Sequence, residues 1–263
     1  MKALVLGGYG AVGAPVVREL RAYGDTAVAA GRDPSRADRV VDLTDPGSFQ
    51  AALDGVDVVV NAAGVEDPSL VSLATGAGAA FVDVTATGRY VAAVERLEPA
   101  APVLLSVGLA PGLTNLLAVA VHQAGSGAVD IAVVLGAGDA HGHAATEWSY
   151  QLLGRHFTDP ATGTPVRNYT RGQVFTLPGL GRRRLYRTDF SDQHTLTRDL
   201  GVPVRTYFGL DSRLGTGALA VLTWVPGARR LPHNAPIPGS DGWLMLAQDA
   251  GGTRRWVRGR AQS

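Results

Sequence analysis

The sequence predicts an α/β protein: an N-terminal Rossmann-type doubly wound parallel sheet followed by a second domain. Three observations predict it. A strand-like run, Ala3 to Leu6, leads into the glycine cluster Gly7-Gly8-Tyr9-Gly10-Ala11-Val12-Gly13. Apolar strand-like runs then alternate with helix-like runs through the first half, which implies parallel strands joined by right-handed crossovers. Beyond residue 125 a longer apolar strand is followed by a glycine-rich turn, a basic strand and a terminal hairpin, a different order of elements.

Gly8, Gly10 and Gly13 fit G-x-G-x-x-G, the turn between first strand and first helix of a dinucleotide-binding unit. In that setting the first glycine makes the tight turn, the second lets a pyrophosphate approach the backbone, and the third lets helix pack on strand. The amide N–H groups of a helix opening near Ala11 then face the phosphates, so Gly8, Tyr9, Gly10, Ala11, Val12 and Gly13 are candidate cofactor contacts. A second strand, Thr26 to Ala30, ends in Gly31-Arg32-Asp33-Pro34-Ser35-Arg36. An NAD site usually has an acidic residue there for the ribose diol. Here Arg32, Ser35 and Arg36 are placed to surround a 2′-phosphate, because guanidinium is a natural bidentate partner of phosphate oxygens. NADP(H) is favoured, and Asp33 leaves NAD(H) possible.

The following elements are a short strand at Arg39 to Asp42, a helix from Pro46 to Leu53, and a strand Val58 to Val60 ending in Asn61-Ala62-Ala63-Gly64. A helix from Pro68, a strand Ala80 to Val84, a helix Tyr90 to Leu97 and a strand Val103 to Ser106 complete the first half. Ligands of such sheets lie beyond the carboxyl ends of the strands. Asp42 and Leu43 are therefore expected beside the adenine, and Asn61, Ala62, Ala63 and Gly64 beside the nicotinamide. Tyr90 is a candidate proton donor, Arg89 a candidate carboxylate ligand, and Glu66 a candidate amine ligand. Asp67 reads as the cap of the helix opening at Pro68.

Composition excludes several classes. The 263 residues include no cysteine, which removes disulfides, thiolate nucleophiles and cysteine-bound metals. Lys2 is the only lysine among 24 Lys and Arg, so a lysine base or Schiff base is not expected. No apolar run reaches the roughly 20 residues of a membrane span, and the amino-terminal residues read as a strand and not a signal; a cytoplasmic location follows by default. Residues 1–130 carry 8 Lys and Arg against 14 Asp and Glu, and residues 131–263 carry 16 against 9. The basic second half suits an anionic substrate or the acidic half of a partner subunit. Its arginines are scattered and form no nucleic-acid-binding motif.

The sequence resembles the saccharopine dehydrogenase (saccharopine reductase-like) family. The resemblance is carried by the glycine cluster, Gly31-Arg32, Asn61-Ala62-Ala63-Gly64, Phe81-Val82-Asp83-Val84-Thr85 and Gly108-Leu109-Ala110-Pro111-Gly112-Leu113-Thr114-Asn115. It implies an NADP-binding Rossmann domain, a second α+β domain built on a mixed sheet that covers the nicotinamide and forms a homodimer, and hydride transfer between NADPH and an imine of a small metabolite. The alternatives are a ketone or carbonyl reductase, or a non-catalytic regulatory protein that senses NADP. Chains of that family commonly end in a helix returning to the Rossmann domain, whereas this one ends after the strand-like Trp256-Val257-Arg258.

The domain boundary is expected near Gly125-Ser126-Gly127, giving domains 1–124 and 125–263. After the strand Val129 to Leu135, the turn Gly136 to His143 precedes a helix expected from Ala144 to Leu153. His141 is a candidate proton donor and Glu147 a candidate acid/base partner. The spacing of His141, His143 and Glu147 is too nonspecific to predict a metal, and none is expected. Gly181 to Arg187 reads as a turn and basic strand, Ser191 as the N-cap of a helix to Leu200, Arg213 to Trp224 as a helix, and Trp243 to Arg258 as a hairpin.

Overall fold

The computed structural model describes residues 1–85, 87–138, 148–230 and 239–260. The chain divides into two compact units, Met1–Gly108 and the residues from Leu109 onward. In the first, β1 (Lys2–Leu6), α1 (Gly13–Ala22), β2 (Thr26–Gly31), β3 (Arg39–Val40), α2 (Pro46–Ala51) and β4 (Val58–Asn61) come first. They are followed by α3 (Pro68–Gly76), β5 (Ala80–Asp83), α4 (Gly88–Val94) and β6 (Val103–Leu104). The strands order β3-β2-β1-β4-β5-β6, and each neighbouring pair is parallel. Chain order reverses at β1, which lies between β2 and β4, the switch point beyond which open α/β sheets bind ligands.

Both faces of this sheet are covered, which is why β1 is apolar at every position from Ala3 to Leu6 instead of alternating. On one face Val5, Ala27 and Ala29 pack against Val17 of α1. On the other, Leu4, Leu6 and Val59 pack with Phe49 of α2, Leu70 and Val71 of α3, and Tyr90 of α4. Helices α2 and α3 open alike, with proline in the first turn and an aspartate cap: Asp45 Oδ1 accepts from Gly47 N–H and Asp67 Oδ1 from Ser69 N–H, both at 2.9 Å.

The second unit begins earlier than the sequence predicts. Helix α5 (Leu113–Ala124) buries Leu117, Ala118 and Val121 in one core with Val129, Ile131 and Met245, so the helix belongs with the second sheet and the division falls before it. That sheet orders β10-β11-β12-β7-β13-β14, from β7 (Val129–Leu135), β10 (Thr170–Leu177), β11 (Gly181–Arg187), β12 (Val204–Leu210), β13 (Gly242–Asp249) and β14 (Arg254–Arg260). Only β12 and β7 pair in parallel, so the sheet is mixed, as expected. Strand β7 is buried on both sides. Ile131 and Val133 face α5, α6 (Ser191–Leu200) and α7 (Arg213–Leu222), while Ala132 and Val134 meet Leu185, Tyr207, Leu244 and Leu246 on the opposite face.

A small hairpin, β8 (His156–Thr158) with β9 (Pro165–Arg167), is pinned to this unit by a buried cation. Arg187 Nη1 donates to Asp159 Oδ2 at 2.8 Å and Nη2 to Gln193 Oε1 at 2.9 Å, with both charges almost wholly out of water. Ser191 is not the cap expected of it: the cap position of α6 is Phe190, which offers no side-chain acceptor, and Ser191 is buried inside the first turn. Among the described residues no helix is long and apolar enough to cross a membrane.

Candidate dinucleotide site

The turn after β1 is built around Gly7, a residue outside the G-x-G-x-x-G reading. Gly7 takes φ +68°, which a side chain would disfavour, and its carbonyl accepts from Gly10 N–H at 2.8 Å, closing the turn. A Cβ on Gly13 would overlap that same carbonyl, so the third glycine does let α1 pack on the turn. Gly8 is buried and donates its N–H to Ala30 O at 3.2 Å; it ties the turn to β2 and does not form the bend assigned to it from sequence. Helix α1 opens at Val12 with no side-chain cap and no acidic residue in its first turn. Its amino end is therefore electropositive and open to an anion.

A cleft of about 380 Å³ lies beyond the ends of β1, β2 and β4. Gly7, Tyr9 and Gly10 form one wall, Gly31 and Arg32 a second, and Asp42, Leu43, Ala62 and Ala63 a third. Parallel register brings these segments together: Leu6 is level with Ala30 on one side and with Asn61 on the other. Seven of the sequence-predicted cofactor residues line it, namely Tyr9, Gly10, Arg32, Asp42, Leu43, Ala62 and Ala63. The reading missed Gly7, Val41, Thr44 and Val65, which also line it. Gly7 was visible beside the motif, as the first residue of the glycine cluster; the others contribute through loop curvature, which residue type does not report.

The loop after β2 is internally tied. Asp33 Oδ1 accepts from Ser35 N–H at 2.9 Å and from Ser35 Oγ at 2.7 Å. The Ser35 hydroxyl, its N–H and then the nearby Arg36 charge hold the Asp33 carboxyl below the usual carboxylate range. Asp33 and Ser35 thus occupy each other, and Arg32 and Arg36 are the exposed cations of the loop. Asp42 is similarly tied to Thr44, whose N–H at 2.9 Å and hydroxyl at 2.7 Å lower its pKa, helped by the charge of Arg32.

Under the cleft, Asn61 and Asp83 end β4 and β5 side by side. Asn61 Nδ2 donates to Asp83 Oδ2 at 2.8 Å and to Val65 O at 2.9 Å. Tyr90 Oη donates to the same Asp83 oxygen at 2.8 Å, and Thr85 N–H to the other at 2.7 Å. Tyr90 is buried to 3% exposure, and burial together with the Asp83 charge pushes its phenol well above the ordinary range. This geometry corrects the expectation of a proton donor: the Tyr90 proton is held by a buried carboxylate. Asn61 likewise supports the strand end from below instead of facing the cleft. Arg89 and Glu66, expected to hold a substrate carboxylate and amine, pair with each other at 3.7 Å, with Arg89 largely exposed. His141 and Glu147 lie outside the described residues.

A parallel sheet in this order, a glycine turn into an uncapped helix and a cleft at the switch point define a Rossmann-type NAD(P)-binding unit, and the residues present suit the dinucleotide. Residues 3–108 match the model of the NAD dependent epimerase/dehydratase family, a match that lies within the first unit. No curated protein matches the chain. Among solved structures, the chain is similar over 32% of its length to UDP-N-acetylglucosamine 4-epimerase from Bacillus cereus, at 22% identity and TM-score 0.27, spanning 38% of that enzyme. The WlbA (WbpB) dehydrogenase from Thermus thermophilus, in complex with NAD and alpha-ketoglutarate, is 14% identical over 98% of this chain and 82% of its own, with TM-score 0.43. The C. glutamicum DAP dehydrogenase in complex with DAP is 15% identical over 100% of this chain and 83% of its own, with TM-score 0.43.

Proposed function

We propose that this protein is an NADP-dependent oxidoreductase of the saccharopine dehydrogenase-like type, acting on an imine formed from an amine and a carbonyl compound, one of them a small anionic metabolite. The observation that carries the nucleotide part is the meeting, at the switch point of one parallel sheet, of an uncapped helix N-terminus, an apolar cleft and the two arginines of the loop after β2. The substrate part rests on the sequence resemblance of the segments from Gly7 to Asn115.

The bound dinucleotide supplies the hydride, and the protein binds, orients and excludes water. The N–H groups of Ala11, Val12 and Gly13 at the opening of α1 would hold the pyrophosphate, with Gly7 and Gly10 letting it approach the backbone. Leu43, Val41 and Val65 would flank the adenine, and Arg32 with Arg36 would take the 2′-phosphate. Ser35 takes Asp33 Oδ1 and leaves Oδ2, so the loop offers a ribose diol one carboxylate oxygen against the two guanidinium groups it offers a 2′-phosphate, which supports NADP over NAD. His141 is the proposed proton donor to the substrate and Glu147 its partner, and the anionic substrate would be drawn to the basic second half of the chain. A cytoplasmic homodimer formed through the second domain completes the reading.

Parallel titrations with NADPH and NADH, for the native chain and for Arg32→Ala/Arg36→Ala, test the proposal. Native protein should bind NADPH at least tenfold more tightly than NADH, and the double variant should lose that margin, since each charge-assisted bond to phosphate contributes about 1.5–3 kcal/mol. Equal affinity for the two nucleotides, or binding of neither, overturns it. A screen of amine and carbonyl pairs then tests the chemistry, with His141→Ala expected to abolish turnover and retain nucleotide binding.

A further inference from the structure

Tyr9 occupies the first variable position of the glycine turn, and its side chain crosses to the loop after β2. There it meets that loop at three points. Its ring lies against Gly31, where a Cβ would fall 2.5 Å from Tyr9 Cε1 and 2.6 Å from Tyr9 Oη, so residue 31 must be glycine for the ring to be seated. Its hydroxyl oxygen accepts from Asp33 N–H at 3.1 Å. Arg36 stacks on the ring with its guanidinium carbon 4.5 Å from the centroid, and Arg36 Nη2 donates to the Tyr9 carbonyl at 2.8 Å.

Arg36 is thereby held from two directions by one residue. A guanidinium carries five N–H donors in a planar fork, so one bond to Tyr9 O leaves most of the fork for another acceptor while removing much of the rotational freedom of a long side chain. The exposed loop 32–36 has Asp33 and Ser35 tied to each other, and Tyr9 supplies the tie between that loop and the pyrophosphate turn. Tyr9 also lines the cleft itself.

We infer that Tyr9 is the positioning residue for nucleotide selectivity: it seats Arg36 as a preformed receptor for a phosphate on the adenosine ribose and couples that receptor to the glycine turn. This rests on the NADP reading above. Tyr9 acts through Arg36, so its removal should weaken the phosphorylated nucleotide selectively. A residue that merely shaped the glycine turn would affect both nucleotides alike.

The test is calorimetric titration of the full chain with NADPH and with NADH for the native protein, Tyr9→Leu, Tyr9→Phe and Arg36→Ala, each checked by circular dichroism for native melting. Tyr9→Leu should weaken NADPH binding about tenfold more than it weakens NADH binding, the combined loss of a surface cation–π contact and an ordered loop, on top of whatever cleft contact both nucleotides share. Tyr9→Phe keeps the ring and the carbonyl and should retain most of the NADPH margin. Equal loss for both nucleotides in Tyr9→Leu, or a retained margin in Tyr9→Leu while Arg36→Ala loses it, overturns the inference and leaves the NADP reading standing. Loss of no margin in Arg36→Ala and Arg32→Ala/Arg36→Ala overturns the NADP reading itself. Should Tyr9→Leu fail to fold, Tyr9→Met supplies the same comparison without a ring.

Discussion

Single residues in the first unit have roles set by what they touch, and residue type alone predicted only some of them. Tyr90 and Arg89 stand one position apart near the carboxyl end of β5, and both read as substrate groups. Tyr90 turns inward to Asp83 and Arg89 outward to Glu66. The buried Asp83 carboxylate takes donors from Asn61, Thr85 and Tyr90, which offset the cost of removing it from water. Tyr90→Phe removes one of them and should destabilise the protein by about 1–3 kcal/mol, the usual cost of leaving a buried acceptor short of a partner. Urea unfolding reads that loss. NADPH affinity should be nearly unchanged, whereas a large drop in nucleotide affinity would place Tyr90 in the site and not beneath it.

At the scale of elements, helices of the first unit were legible because their boundaries are chemical. Aspartate followed by proline opens α2 and α3, and the local hydrogen bond is the same wherever the segment sits in the fold. Strands β10 and β12 were not read from the sequence. β12 carries Arg205 at its second position, and Arg205 is neutralised by Asp130 on β7 at 2.7 Å, a partner 75 positions away. The carboxylate of Asp130 also accepts from Gln173 of β10 at 2.9 Å. Until the strands pair, these side chains make both segments look like polar loops.

A second cross-element tie gives a pH prediction. Asp192 of α6 is fully buried and accepts from Thr114 Oγ1 of α5 at 2.9 Å and Thr206 Oγ1 of β12 at 2.7 Å. Burial raises its pKa despite those bonds. The folded state then keeps a proton that the unfolded chain releases above about pH 4, so this group contributes most stability below that pH and loses it as pH rises through the folded value. Asp192→Asn removes the titration while preserving shape and an acceptor. Its melting temperature should exceed that of the native protein at pH 7, and the two should converge near pH 4; a constant difference across that range would show that Asp192 has the same pKa folded and unfolded.

For the whole molecule, the two units have separate hydrophobic cores and separate sheets. All four tryptophans, Trp148, Trp224, Trp243 and Trp256, belong to the second unit, so their emission reports on it alone. Among the described residues, those that line the nucleotide cleft belong to the first. NADPH at about 100 times its Kd should stabilise the first unit by about 2.7 kcal/mol. Far-ultraviolet circular dichroism, which reads both units, should then move to higher urea in part of its transition, while the tryptophan emission midpoint stays in place. A matching displacement of both signals would mean that the units unfold as one.

The sequence by itself determined the elements whose signals are local: the glycine turn, the aspartate-proline helix starts, the uninterrupted apolar strand β1 and the alternation that makes a parallel sheet. It also placed Tyr9, Gly10, Arg32, Asp42, Leu43, Ala62 and Ala63 at the cleft, because strand ends in such a sheet necessarily converge. Only the tertiary structure decided that Gly7 and not Gly8 makes the bend, that α5 joins the second unit, and that Tyr90, Glu66 and Arg89 are occupied by neighbours. Each of those outcomes depends on backbone angles or on partners distant in the chain, and a residue's type records what it is able to bond, not which partner the fold brings to it.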